Sequence, residues 1–391
     1  MKTERRFADV RQLARVVREV FGTDRRITSV DRLAGGSKKG VYRVALDDGT
    51  SAVVYVWNPD EDYWDGLLPD YSNDPASVFA HSSGLDLFEA ATHRMESVGV
   101  RSPRLFFTDR SRRLYPGEIA VAEDVRGGTL QELLDNDPEA GKATLGQLAE
   151  MVRAMHEYRA SRFGKVAFVD GGGAASGGTC EAAHLGHALM NIADAAARDV
   201  RAAAAREQLE DKLRTLYATV EPRSEFGLLH GELCAEHTLV GPRGEPVIID
   251  IEGLMYFDVE VDHCWMRMRF QEHYPALRIP GLDPTRMKYY QYTMHLDLVG
   301  GPLRIADGDF PDRDWMLGLA DHHLRKALAY SLRPGEASGG VAPGFAQHTF
   351  QANAEAGAGA FAGLEVAVIV AALAMAAASV WGLSQRLYEY R

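Results

Sequence analysis

Five side chains equipped for chemistry lie close together in the chain: His230, Glu232, His237, Asp250 and Glu252. Two kinds of work suit them. A buried or positioned carboxylate can take the proton of an attacking hydroxyl, and carboxylates with an imidazole can hold a divalent cation. The surrounding pattern explains how they would meet. Leu228-Leu229 ends a short apolar strand, a polar loop follows, and Thr238 to Val240 is β-prone. Gly241-Pro242-Arg243-Gly244 then makes a turn, and Pro246 to Ile251 is a β-branched run. The loop sets Glu232 and His237 at the start of the returning strand, and the hairpin carries Asp250 and Glu252 back beside them.

This order resembles the protein-kinase pattern H-R-D-x-x-x-x-N with a metal-binding Asp after the next strand pair. It resembles more closely the aminoglycoside phosphotransferase and choline kinase superfamily, whose usual form is H-G-D-x-x-x-x-N followed by I-D-[FW]-[EGD]. The resemblance covers roughly Ile27 to Leu332 and implies an α+β, two-lobed protein-kinase-like fold. It also implies ATP and Mg²⁺ as cofactors and transfer of the γ-phosphate to a hydroxyl of a small molecule, such as an antibiotic, amino sugar, nucleoside or choline-like acceptor. In that scheme Glu232 and His230 are the catalytic candidates, and Asp250, His237 and Glu252 the metal ligands. Two positions depart from the pattern. Glu232 stands for Asp, and His237 stands for Asn, a nitrogen ligand that shifts preference from Mg²⁺ toward Mn²⁺. These departures keep two alternatives open: a catalytically degenerate kinase-fold binding or scaffold protein, and a kinase of Ser or Thr in a natural-product precursor peptide.

The elements that must position a nucleotide come first in the chain. Phe7 to Phe21 has Val10, Leu13, Val16, Val17 and Val20 at helical spacing, which predicts an amphipathic surface helix rather than a signal peptide. Ile27 to Leu33, Val41 to Val44 and Ser51 to Trp57 read as a strand meander around a glycine-rich turn. Gly35, Gly36 and Ser37 would let backbone N–H groups approach phosphates. The third strand carries Tyr55 but no Lys or Arg, whereas kinases place a phosphate-pairing Lys there. Lys38 and Lys39, on the turn itself, are the candidates to supply the charge. The Asp60 to Asp74 insertion, rich in acids and aromatics, reads as a solvated loop or a flap that attracts cations. Glu89, on a helix from Leu85 to Val98, falls where the resemblance places an ion-pairing acid. Ile119 to Val125 is an apolar strand that the resemblance implies leads to the inter-lobe hinge, where backbone groups around Glu123 to Val125 would bind the adenine edge.

A larger helical part follows. Leu145 to His156 is amphipathic, Gly171 to Gly178 is a glycine-rich loop, and helices are predicted over 181–197, 200–220, 284–303 and 312–332. His156 and Asp262 read as structural, and the resemblance implies that the latter braces the catalytic loop. Arg267 and Arg269 read as ion-paired, and Tyr289, Tyr290, Tyr292, His295, His322 and His323 as acceptor-pocket candidates. The domain expectation is a nucleotide-binding lobe at 1–125, a catalytic lobe at 126–333, and a Gly/Ala-rich linker with an apolar helix at 334–391.

Composition narrows the remaining classes. A net charge of −12 without a basic tract argues against nucleic acid as the partner. Three cysteines without paired spacing suit a reducing cytoplasm. Cys234-x-x-His237 and His263-Cys264 hold zinc-ligating types, but the loop spacing accounts for His237 better. Val366 to Leu383 is free of charge and long enough to contact a membrane, a second copy or the helical lobe.

Overall fold

Asp9 opens the first helix, α1 (Val10–Phe21), with a capping box to Gln12, and its buried Leu13, Val16 and Val17 recur at helical spacing. The computed structural model describes residues 5–33 and 37–330. Gly35 and Gly36 of the nucleotide-loop expectation, and the apolar segment Val366 to Leu383, lie outside the described residues. No helix among the described residues is long and apolar enough to cross a membrane.

The apolar stripe of α1 covers one face of an antiparallel sheet built from β1 (Ile27–Arg32), β2 (Gly40–Leu46), β3 (Ser51–Trp57), β4 (Leu105–Asp109) and β5 (Glu118–Glu123). Helix α2 (Leu85–Ser97) intervenes between β3 and β4, and the strand order is β1-β2-β3-β5-β4. Side-chain alternation divides β3 between two cores. Ala52, Val54 and Val56 pack with the α1 stripe, while Val53, Tyr55 and Trp57 pack with Leu85, Phe88, Ala91 and Met95 of α2. A strand apolar on both faces is what a central strand requires, and it leaves no inward position for a charged residue.

The helical lobe contains α3 (Leu130–Asn136), α4 (Pro138–Glu157), β6 (Gly164–Lys165), α5 (Val166–Asp170), α6 (Cys180–Arg198), α7 (Val200–Ala204) and α8 (Arg206–Tyr217). It continues with β7 (Gly227–Leu229), β8 (Thr238–Val240), β9 (Pro246–Ile248), β10 (Met255–Phe257), α9 (Val259–Phe270), α10 (Pro284–Ile305) and α11 (Arg313–Ala329). The helix expected over 200–220 is two, because the chain bends at Ala205 between α7 and α8. Strands β8 and β9 form the hairpin predicted from the turn at Gly241, and β6, β10 and β7 form a small sheet beneath it. Gly127 leads out of the hinge so close to the Val240 carbonyl that any side chain there would collide with it. This approach lets the Val240 N–H donate to the Gly128 carbonyl at 2.9 Å, joining hinge and hairpin.

Two expectations are corrected here. The insertion after β3 is neither a solvated loop nor an open flap. Trp64 and Glu61 are completely buried, and Tyr63 and Trp64 pack with Ile305, Phe310 and Met316 of the helical lobe. Aromatic burial of this size outweighs solvation of the acids. Arg5 anchors the same segment through Asp309 at 2.6 Å and the carbonyls of Asp60 and Asp62. Of the acceptor-pocket candidates on α10 and α11, Tyr289, Tyr290, Tyr292 and His323 are core instead. Tyr289, Tyr290 and Tyr292 are each at most 1% exposed, and their hydroxyls donate to Glu181 O, Asp258 and Leu209 O. His295 and His323 meet each other at 2.8 Å, and His322 sits beside His323.

Candidate active site

The loop between β7 and β8 is fastened before its functional groups are considered. Asp262, from α9, accepts the N–H groups of His230 at 3.0 Å and Gly231 at 2.7 Å, and meets His156 Nε2 at 3.1 Å. Burial would push this carboxyl up, but His156 and the backbone donors hold it below the ordinary carboxylate range. His156 and Asp262 are thus the structural pair expected. Replacing Asp262 with Ala should cost about 3–5 kcal/mol in urea unfolding, because buried partners are left without an acceptor. Turnover should fall with it as the loop loses its shape.

His230, expected to be catalytic, is corrected to a positioning residue. It is fully buried, its Nε2–H donates to the Ile249 carbonyl at 3.0 Å, and its Nδ1 accepts the Glu232 N–H at 3.2 Å. With both nitrogens bound to backbone it ties the loop to the end of β9 and touches no space a substrate could enter. Burial lowers its pKa and keeps it neutral.

Glu232 is in the opposite situation. It is 2% exposed, and neither carboxylate oxygen has a hydrogen-bond partner. Lys38 Nζ stands 3.8 Å away. Burial pushes its carboxyl up to about 7, with Asp250 adding to the rise and Lys38 opposing it. A buried acceptor left unsatisfied is costly, and a carboxylate held that way is suited to take a proton from an incoming hydroxyl.

His237 and Asp250 complete the centre. His237 Nδ1–H donates to the Glu232 carbonyl at 2.9 Å, which turns Nε2 toward Asp250 Oδ2, 3.8 Å away. Asp250 adopts left-handed backbone (φ 61°, ψ 50°), an unusual conformation for a non-glycine residue that turns the chain out of β9. Ligand atoms of Glu232, His237 and Asp250 all lie within 4.8 Å of one another, the one such group among the described residues. An imidazole nitrogen and two carboxylates are a donor set that fits a divalent cation. Glu252 is not in that group: its Oε1 is 2.5 Å from Lys39 Nζ, although its Oε2 has no partner. The three cysteines are free and buried, and none joins this centre.

Lys39, on the residue before β2, is buried, and its ammonium bridges Asp250 Oδ1 at 2.8 Å and Glu252 Oε1 at 2.5 Å. Burial opposes its charge, but the two acids raise its pKa well above the ordinary value. Tyr55 lies beneath, its ring centroid 5.6 Å from Nζ, and burial pushes its hydroxyl up to about 12. Ser37 is buried rather than open to phosphate: its Oγ accepts from Trp64 Nε1 at 3.1 Å and its carbonyl from the Tyr63 N–H at 2.7 Å.

One nucleotide-site expectation is corrected and another is narrowed. Glu89 faces outward and pairs with Arg110, since no strand lysine draws it inward. Glu123 donates its N–H to the Arg104 carbonyl at 2.9 Å and pairs its carboxylate with Arg101 at 2.9 Å, which leaves its carbonyl as the backbone group for an adenine edge. Val125, next along, is buried at the hinge. Arg269 is ion-paired with Glu236 at 2.9 Å, as expected of it.

Sequence reasoning missed Lys165. It is 2% exposed on β6, donates to Ser82 Oγ at 2.5 Å, and is close enough to Glu232 and Glu252 to feel their charge. Burial and Lys38 bring its ammonium down to about 7. A lone lysine between Phe163-Gly164 and Val166-Ala167 was the available signal.

Known proteins share this architecture. The profile of the phosphotransferase enzyme family matches residues 29–291. Among solved structures, spectinomycin phosphotransferase APH(9)-Ia with ADP and spectinomycin superposes at a TM-score of 0.55, with 13% identity over 83% of this chain and 99% of its own. A thermostable mutant of aminoglycoside phosphotransferase APH(4)-Ia in apo form gives 0.50, with 18% identity over 82% of this chain and 100% of its own. LicA in complex with AMP gives 0.51, with 10% identity over 82% and 98%. A search of curated protein sequences finds no significant match. The fold is therefore α+β, a sheet lobe joined to a helical lobe in the two-lobed kinase-like arrangement.

Proposed function

Because the chain belongs to the phosphotransferase enzyme family, we propose that it transfers the γ-phosphoryl group of ATP to a hydroxyl of a small molecule. One observation carries this reading: both oxygens of Glu232 are buried without a hydrogen-bond partner, in a cluster with His237 and Asp250. Phosphoryl transfer needs little covalent help from the protein, only positioning and charge neutralisation. Glu232 orients the acceptor hydroxyl and takes its proton. Lys39 and Lys38 face the phosphates from the glycine-rich turn. Asp250 and His237, with Glu232 alongside, would hold a divalent cation, which neutralises phosphate charge when bound. That one neighbour binds ADP together with spectinomycin supports a nucleotide and a small-molecule acceptor in one cleft.

The test is incubation of the full chain with ATP and Mg²⁺ or Mn²⁺ against amino sugars, nucleosides, antibiotics, choline-like alcohols and Ser/Thr peptides, read by mass spectrometry. A phosphorylated small molecule is expected. Transfer to peptides alone would change the acceptor class. Nucleotide binding with no transfer to any of them would make the chain a binding module, the reading favoured by Glu232 and His237 standing where Asp and Asn are usual.

A further inference from the structure

Lys39 stands where protein would not ordinarily put a positive side chain if two divalent ions were to enter. Protein kinases hold two Mg²⁺ around the metal-binding Asp and keep their phosphate-pairing lysine on the third strand. In this chain the third strand places Tyr55 beside the acids, and the lysine comes instead from the residue before β2. Its ammonium sits between Asp250 and Glu252, at 2.8 Å and 2.5 Å, and so occupies the space that a second ion shared by those two acids would need. A divalent ion would have to approach oxygen to about 2.0–2.1 Å, which brings it against the ammonium.

The placement is built, not incidental. On one side Ser37 is held by Tyr63 and Trp64, and the Lys38 carbonyl accepts from Ser83 Oγ at 2.8 Å. On the other, Gly40 is packed so tightly on the Glu61 carboxyl and the Tyr42 ring that no side chain fits. Two of the three donors of the Lys39 ammonium go to the acids, and among the described residues the third has no partner.

We propose that Lys39 replaces one of the two metal ions of kinase-type phosphoryl transfer, so that this chain works with a single divalent ion held by Asp250 and His237, while the third donor of Lys39 contacts a phosphate oxygen. The proposal rests on the phosphotransferase reading, and the experiment separates the two. Mn²⁺ bound to the full chain is counted by electron paramagnetic resonance with a limiting amount of the non-hydrolysable nucleotide AMP-PNP. One Mn²⁺ per bound nucleotide is expected for the parent and for Lys39→Arg, and two for Lys39→Ala. In Lys39→Ala the nucleotide should bind about tenfold more weakly at low Mn²⁺ and recover as Mn²⁺ is raised. Two ions in the parent, or one in Lys39→Ala, would overturn the proposal and leave the phosphotransferase reading standing. No nucleotide-dependent Mn²⁺ in the parent would remove both. The parent count decides the matter even if Lys39→Ala does not fold.

Discussion

Glu232→Gln lowers kcat by about 10²- to 10⁴-fold and makes the protein more stable, not less, at pH 8. Both effects have one cause. The carboxylate is buried without a hydrogen-bond partner, so it is poised for an incoming hydroxyl and costly in its absence. Burial raises the folded-state carboxyl to about 7, above its unfolded value near 4.5. A group with a raised folded pKa binds its proton more tightly when folded, so stability falls as pH climbs between those two values. The penalty is complete above pH 7 and on the order of 3 kcal/mol there. Gln carries no charge and escapes it. Thermal melts of parent and variant should therefore agree near pH 4 and separate in favour of Glu232→Gln by pH 8. If the variant melts lower at pH 8, Glu232 is a structural partner and not an open base. The parent's kcat should rise with pH as Glu232 ionises, and a divalent ion at Asp250 should move that rise to lower pH.

Asp250→Asn should abolish more activity than the loss of either lysine, by about 10³-fold or beyond, since charge neutralisation at the phosphates is worth several kcal/mol. Its electrostatic signature is the reverse of the first. Burial alone would push the Asp250 carboxyl up, but Lys39, His237 and Lys38 hold it well below the ordinary carboxylate range. A depressed acid contributes stability above its unfolded pKa and loses it as pH falls. The parent should thus lose stability on acidification below about pH 4, and Asp250→Asn should lack that part of the loss. The substitution also leaves Lys39 with Glu252 alone, so Mn²⁺ should no longer raise the melting temperature in the presence of AMP-PNP. Retained metal-dependent stabilisation would show that the cation sits elsewhere.

The order His230, Glu232, His237, Asp250 was legible because each falls on a loop or hairpin end whose flanking strands announce themselves by β-branched runs and a Gly-Pro turn. Helix α1, strand β3 and helix α4 were legible for the same reason: an apolar period is a local property, and burial of that face fixes the element. The role of Asp262 came from the resemblance, which implies a bracing acid at that place after the hairpin. What a period cannot state is which group will stand opposite. Lys39 meets Asp250 and Glu252 across 211 and 213 residues of chain, and its direction depends on Ser37 and Gly40 being clamped by an insertion that composition alone made to look solvated. Glu89 turned outward to Arg110 because β3 offered it no lysine, and His230 became a brace because the Ile249 carbonyl after β9 and the Glu232 N–H of its own loop took both ring nitrogens. Tyr289, Tyr290 and Tyr292 went into the core because their hydroxyls found buried acceptors on other helices. Residue type and spacing determined which chemistry the chain carries; only the packing of distant segments decided where each charge is neutralised, because a buried charge settles on whatever partner the fold brings within a few ångströms.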